Sequence, residues 1–300
     1  MAVAQSRHVA ELITACTGCQ VEIIGISTLG DVSKADLVQI GGTGVFVGAI
    51  RAHLVSGEVD FAVHSLKDLP TGHAAGLTLA AVPRRDDPWD ALVGRDGAKL
   101  ADLPSMARIG TGSPRRAAQL LLLRPDLRPV PIRGNAETRL AKITSGEVDA
   151  VVLGCAGLAR IGRLDVVTQV FEPDEMLPAP GQGALAVECL ASRQDLAELL
   201  GCIDDPVSRA ATTAERALLA TLQGGCAAPV GAYAAGTDAL RLDAIVAAVD
   251  GGAALRGSGG GPADQAERLG REVAADLLGR GAGMYTDVSF GHLSNGDDEK

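Results

Sequence analysis

The chain has 300 residues, enough for two or three domains, and 47% of them are hydrophobic while only 2% are aromatic. So few rings exclude a stacking platform for single-stranded nucleic acid, and the formal net charge of −10 disfavours nucleic acid or an anionic membrane as partner. A bound anion therefore needs a local cluster of arginines.

The chain opens inside a helical run, MAVAQSRHVAELIT, followed by CTGC. Cys16 and Cys19 read either as ordinary thiols at a helix end or as half of a metal or redox pair, with no second CxxC to complete a metal site. Six cysteines without a disulfide-like framework, and no secretory leader, fit a cytoplasmic protein. VEIIGIS (21–27) reads as a strand and FVGAIRAHLVS (46–56) as a helix, stopped by Gly57. Strands follow at 60–63, at 77–83 and within MARIG (106–110). SPRRAAQLLLL and NAETRLAKI read as helices, and 149–154 and 184–189 as later strands. The runs 56–69 and 145–158 both begin SGEVD in a helix–Gly–strand context, which implies two α/β lobes of similar topology with parallel sheets. DDPVSRAATTAERALLATLQGG (204–225) is a helix with Asp at its cap and Gly at its end. Short strands, including 240–249, and a helix at 264–281 complete a small α+β domain; the tail from about 291 is polar. No run is long and apolar enough to span a membrane.

Arginines collect at strand-to-helix turns. Ser113 is a candidate N-cap and Pro114 a first helical residue, so Arg115 and Arg116 fall in the first turn, beside free N–H groups that favour an anion. Arg133 and Arg139 flank the next helix start, and Arg160 follows the 149–154 strand. In VHSLKDLPT (63–71), Asp68 reads either as a salt bridge to Lys67 or as a carboxylate stabilising cationic chemistry on an acidic substrate. His64 is equally open between strand-end hydrogen bonding and catalysis. DDPWD (86–90) reads as a solvated crossover between lobes rather than a hard-metal site. Cys226 stands in a glycine-rich turn, LQGGCAAPVGAY, with no cysteine nearby.

In this order and spacing, HSLKDLPT, DDPWDALV, GTGSPRRAAQL, IRGNAETRL, LPAPGQGALAVEC and TAERALL…LQGGCAAPVGAY closely resemble the hydroxymethylbilane synthase (porphobilinogen deaminase) family. The resemblance implies an α/β fold: two lobes like those of type II periplasmic binding proteins, plus a small α+β C-terminal domain. It places domain 1 at 1–83 and 184–201, domain 2 at 84–183 and domain 3 at 202–300. It implies a cytoplasmic, monomeric transferase that condenses four porphobilinogen molecules on a covalent dipyrromethane cofactor, releasing ammonia and a linear tetrapyrrole. By resemblance, Cys226 carries the cofactor through a thioether, and Asp68 is catalytic. Lys67, Ser113, Arg115, Arg116, Arg133 and Gln182 contact the cofactor, Arg139 and Arg160 the substrate, and no metal is used. The competing reading is a non-catalytic two-lobed anion-binding protein, which has no use for Cys226 or Asp68. Three departures stand out. Thr43 and Gly48 replace lysines of some members, and Gly112 replaces a frequent serine. The family's first strand and R-x-S turn precede the helix at which Met1 falls, so a shortened N-terminus and weakened activity are expected.

Overall fold

A computed structural model describes residues 1–26, 44–224 and 228–286. In chain order the elements are α1 (Ala2–Thr17), α2 (Gly44–Val55), β1 (Phe61–Ser65), β2 (Leu77–Ala81), β3 (Asp90–Gly94), β4 (Arg108–Gly110), α3 (Pro114–Leu123), β5 (Arg128–Val130), α4 (Ala136–Thr144), β6 (Ala150–Gly154), α5 (Cys155–Arg160), β7 (Gln169–Val170), β8 (Leu185–Leu190), α6 (Gln194–Leu200), α7 (Pro206–Thr221), β9 (Val230–Ala235), β10 (Ala239–Ala247), β11 (Ala254–Pro262), α8 (Ala266–Gly279) and α9 (Gly283–Thr286). Among the described residues the strands form three sheets, so the architecture is mixed α/β.

The first sheet has the order β1-β8-β2, with β8 antiparallel to both neighbours. Because β8 comes from far along the chain, the unit built on residues near the N-terminus is closed only after the chain has left and returned. Its core joins Val9 and Ile13 of α1 to Ala81, Leu185, Val187 and Leu200. The second sheet has the order β5-β4-β6-β3-β7 and is mixed, not parallel as the sequence suggested. β4 runs parallel to β5 and β6, while β3 is antiparallel to β6 and β7. Both faces of its centre are covered. Leu92 and Val152 enter one apolar layer, and Ala91, Val93, Val151 and Leu153 the other. That explains the unbroken apolar runs ALV and AVVL, which carry no alternation. The third sheet, β11-β10-β9, is an antiparallel meander packed under α7 and α8.

The segment 21–26 is not a strand. A strand needs a ladder partner for its N–H and C=O groups, none of the described strands pairs with it, and Ile24 is 55% exposed.

The helix–Gly–strand echo is realised in atomic detail. Gly57 and Gly146 adopt φ 76° and 77°. Each donates its N–H to the carbonyl three residues back, Leu54 at 3.2 Å and Ile143 at 3.1 Å. The next residue in each, Glu58 or Glu147, closes the outer bond of a Schellman turn, to His53 at 3.1 Å and to Lys142 at 3.0 Å. Each turn redirects a helix into a strand, β1 or β6. After β1 a single 3-10 turn, Leu66–Asp68, carries Lys67 and Asp68. Two crossing segments join the first and second sheets and run side by side, with the Asp86 N–H donating to the Gly183 carbonyl at 3.4 Å. Gly183 sits at φ 87°, and a Cβ there would lie 2.5 Å from the Asp86 carbonyl oxygen, so only glycine permits this approach.

Candidate active site

At the start of α3, Ser113 has extended backbone geometry and Pro114 occupies the first turn, as the sequence suggests, but the Ser113 side chain makes no cap bond. Arg115 and Arg116 are buried and point inward. The anion they hold is the chain's own Asp90, the first residue of β3 and 0% exposed. Arg116 donates from Nε and Nη2 to Asp90 Oδ1 at 3.0 and 2.7 Å, and Arg115 Nη1 lies 2.7 Å from Oδ2. Arg116 Nη1 also donates to the Val152 carbonyl, and Arg115 Nη1 to that of Leu177. DDPWD is therefore not a solvated crossover throughout: Asp87 is exposed, but the run ends in a fully buried carboxylate. Burial raises the Asp90 carboxyl, but the charges and hydrogen bonds of Arg115 and Arg116 outweigh it and hold the group well below the usual carboxylate range.

Gln182, 2% exposed, ties this cluster to the turn after β1. Its Nε2 donates to Asp90 Oδ1 at 2.8 Å and to the Pro88 carbonyl at 2.7 Å. Its Oε1 accepts from Lys67 Nζ at 3.4 Å and from Arg115 Nη2 at 3.5 Å. One amide thus touches a lysine carried by the first sheet and an arginine and a carboxylate carried by the second. Burial lowers the Lys67 ammonium to about 8; Arg116 and Arg115 push the same way, and Asp68 and Asp90 oppose them. Asp68 is half-buried beside Lys67 at the end of the same turn.

The remaining arginines are spread around this centre. Arg139 donates from Nε to the Gly134 carbonyl at 2.8 Å; burial and the nearby charge of Arg116 lower its affinity for its proton. Arg160 binds the crossing segments, with Nε 3.0 Å from Asp86 Oδ2 and Nη2 donating to the Gly183 carbonyl at 2.8 Å. Arg133 is exposed on the loop before α4. Lys67 and Arg115 therefore meet at Gln182, Arg116 joins them through Asp90, Arg139 lies within their field, and Arg160 and Arg133 stand at the crossing and the rim. Cys226, like Thr43, falls outside the described residues. The elements that precede and follow it in the chain, α7 and β9, pack against this centre: Ala232 of β9 donates its N–H to the Pro178 carbonyl at 2.9 Å, just before the loop that presents Gln182. His64 is buried with Nε2 3.2 Å from Glu188 Oε2, and Arg51 donates twice to the same carboxylate, so it joins an ion cluster behind the strand.

Two groups that sequence reasoning passed over complete the centre. Arg85 donates from both Nη atoms to Glu215 of α7, at 2.6 and 3.1 Å, and from Nε to the Gln182 carbonyl at 2.8 Å. Glu215, with 0% exposure, also accepts from the N–H groups of Gly181 and Ala234 at 2.7 and 2.8 Å. Four donors on one buried carboxylate join the crossing segment, the Gln182 loop and the third sheet. The sequence signal was a charged residue inside an otherwise apolar helical stripe, TAERALL.

A dipyrromethane bearing acidic arms fits what is present. Among the described residues Arg115 Nε is buried without a hydrogen-bond partner, a donor suited to an acceptor oxygen of a bound acid. Lysine and arginine outnumber carboxylates at this centre, which suits a polyanion.

Three sheets with their helices meet at a buried centre of lysine, arginine and carboxylate side chains, an arrangement whose surplus of cations suits an acidic small molecule. Residues 1–198 match the family model for the porphobilinogen deaminase dipyrromethane cofactor binding domain, and residues 210–279 that for the porphobilinogen deaminase C-terminal domain. The porphobilinogen deaminase of Thermobifida fusca is 58% identical over 94% of this chain and 91% of its own length. Porphobilinogen deaminase 1 of Streptomyces coelicolor is 51% identical over 94% and 93%. Among solved structures, the VFT2 domain of Bordetella pertussis BvgS aligns with a TM-score of 0.41 at 20% identity, covering 66% of this chain and 76% of that one. The chain belongs to the porphobilinogen deaminase family. Its activity is that of a transferase, hydroxymethylbilane synthase, and its cofactor is dipyrromethane. Among the described residues no helix is long and apolar enough to cross a membrane.

Proposed function

We propose that the turn after β1 and the first turn of α3 form the two walls of the catalytic centre, with Asp68 as the catalytic carboxylate and Cys226 as the thioether anchor. The observation that carries this reading is Gln182, whose single amide touches Lys67 on one side and Arg115 and Asp90 on the other. Held through Cys226, the dipyrromethane supplies the nucleophilic pyrrole carbon from which the product chain grows. Lys67, Arg115, Arg116 and Arg133 hold its acidic arms, with Ser113 and Gln182 fixing their orientation. Arg139 and Arg160 hold those of incoming porphobilinogen. Porphobilinogen loses ammonia from its aminomethyl group, and positive charge builds on its pyrrole N–H. Asp68 stabilises that charge and takes up the proton released when the new bond rearomatises. Asp90 keeps the two buried guanidinium groups in place without consuming every donor, since among the described residues Arg115 Nε has no hydrogen-bond partner.

In this reading the domain boundaries fall at 83/84, 183/184 and 201/202, so both crossing segments are hinges that let the lobes part as the chain lengthens. The protein acts as a cytoplasmic monomer on porphobilinogen, without nucleic acid or metal. Asp68→Ala tests the central assignment. The variant should fold and carry its cofactor, yet turn over about a hundredfold or more slowly, as loss of a principal electrostatic stabiliser does. Wild-type turnover in that variant would remove Asp68 from the mechanism.

A further inference from the structure

Three exposed cysteines, Cys16, Cys19 and Cys202, gather at one place on the surface. Val9 and Ile13 anchor α1 in the same core as Leu200, and Ile203 packs against that core. One turn beyond Ile13 lies Cys16; between Leu200 and Ile203, in the 3-10 turn Gly201–Ile203, lies Cys202. The Cys16 thiol donates to the Cys202 carbonyl at 3.5 Å across 186 residues of sequence. Cys19 is held close by a defined chain reversal. Gly18 takes φ 75° and donates its N–H to the Thr14 carbonyl at 2.9 Å. Thr14 Oγ1 donates to the Cys19 carbonyl at 2.9 Å, and the Cys19 N–H to Thr17 Oγ1 at 3.1 Å. All three thiols are free and exposed. Among the described residues no group of three or more His, Cys, Asp and Glu is arranged to hold a metal ion.

We propose that Cys16 and Cys202 form a reversible disulfide that staples α1 to the turn leading into α7. Cys16 is exposed with its sulfur 3.5 Å from the Cys202 carbonyl oxygen, and partial burial, then contact with Cys16 and the nearby Cys19, pushes the Cys202 thiol up, which disfavours the Cys202 thiolate; Cys16 is the group that attacks first. Its thiolate attacks a small-molecule disulfide, RSSR, giving a Cys16–SR mixed disulfide and one RS⁻. The Cys202 sulfur then displaces the second RS⁻ from Cys16, and the two protons lost by the cysteines convert the leaving groups to 2 RSH. Two cysteine thiols are oxidised and one small disulfide is reduced. In a reducing compartment the pair rests as thiols, so the bond forms only when that poise is lost. Closing so long a loop restricts the unfolded chain and favours the folded first unit.

Full-length protein is incubated with oxidised glutathione and mapped by non-reducing peptide mass spectrometry. A Cys16–Cys202 cross-linked peptide is expected, with loss of two hydrogens, removed by dithiothreitol and accompanied by a rise in unfolding midpoint of about 5 °C or more. Cys16→Ser and Cys202→Ser should each abolish both changes, and Cys19→Ser should keep them. Separate glutathione adducts without a cross-link, a bond to Cys19 in place of either partner, or a cross-link that leaves the midpoint unmoved would overturn the proposal.

Discussion

Burial and charge oppose each other at Asp90, and the arginines win. Removing the charge strands two buried guanidinium groups, so Asp90→Asn should lower stability by about 3 kcal/mol or more, the usual effect of breaking a buried pair from one side. Urea unfolding of cofactor-loaded protein measures it, and an unchanged midpoint would show that the pair is solvated. Lys67 makes a pH prediction. Its folded pKa of about 8 lies below the ordinary 10.5, so the ammonium is intact below pH 8 and lost between there and 10.5, first in the folded state. Burying the charge costs stability below pH 8, and that cost relaxes above it. Carboxylate binding goes the other way: the hold of Lys67 on the acidic arms of the cofactor should weaken as pH passes 8, so kcat should fall there, and Lys67→Arg should flatten that fall. The arginine cluster was legible because charged residues in a helix's first turn are conspicuous. Its internal counter-ion was not, because Asp90 stands four residues after Asp86 in a run that resembles a polar crossover, and only the fold shows which of these carboxylates is enclosed.

Two local devices set the elements in place. The SGEVD repeats were readable as helix stops, and they form matching Schellman turns ahead of β1 and β6. Strand direction was not readable. A fully buried strand has the same continuous apolar pattern whichever way it runs, so β3 gave no sign that it lies antiparallel to β6. The segment 21–26 has strand composition without a described partner strand, and composition alone does not make a ladder. In the C-terminal domain the close approach of α7 and α8 depends on Gly270, where a Cβ would lie 2.2 Å from the Ala214 carbonyl oxygen. That neighbour is backbone and cannot rotate away. Gly270→Ala should therefore lower stability by about 1–3 kcal/mol in denaturant titration, despite alanine's better helix propensity. A gain would show that the helices separate freely.

Across the whole molecule, the proposed catalytic centre draws on segments distant in sequence. Lys67 and Asp68 come from the first sheet, Asp90, Arg115 and Arg116 from the second, and Gln182 from a crossing segment that Glu215 of α7 clamps in place. The same clamp orients β9, which follows Cys226 in the chain. The C-terminal unit is fixed to the Gln182 loop in this way. The proposal that Cys226 bears the dipyrromethane is tested most directly by the intact mass of the purified protein, followed by peptide mapping. The expected result is an added mass of two linked pyrrole units on the peptide containing Cys226, absent from Cys226→Ser together with nearly all turnover. An unmodified chain that turns over porphobilinogen, or an adduct mapped to Cys155 or Cys189, would contradict it.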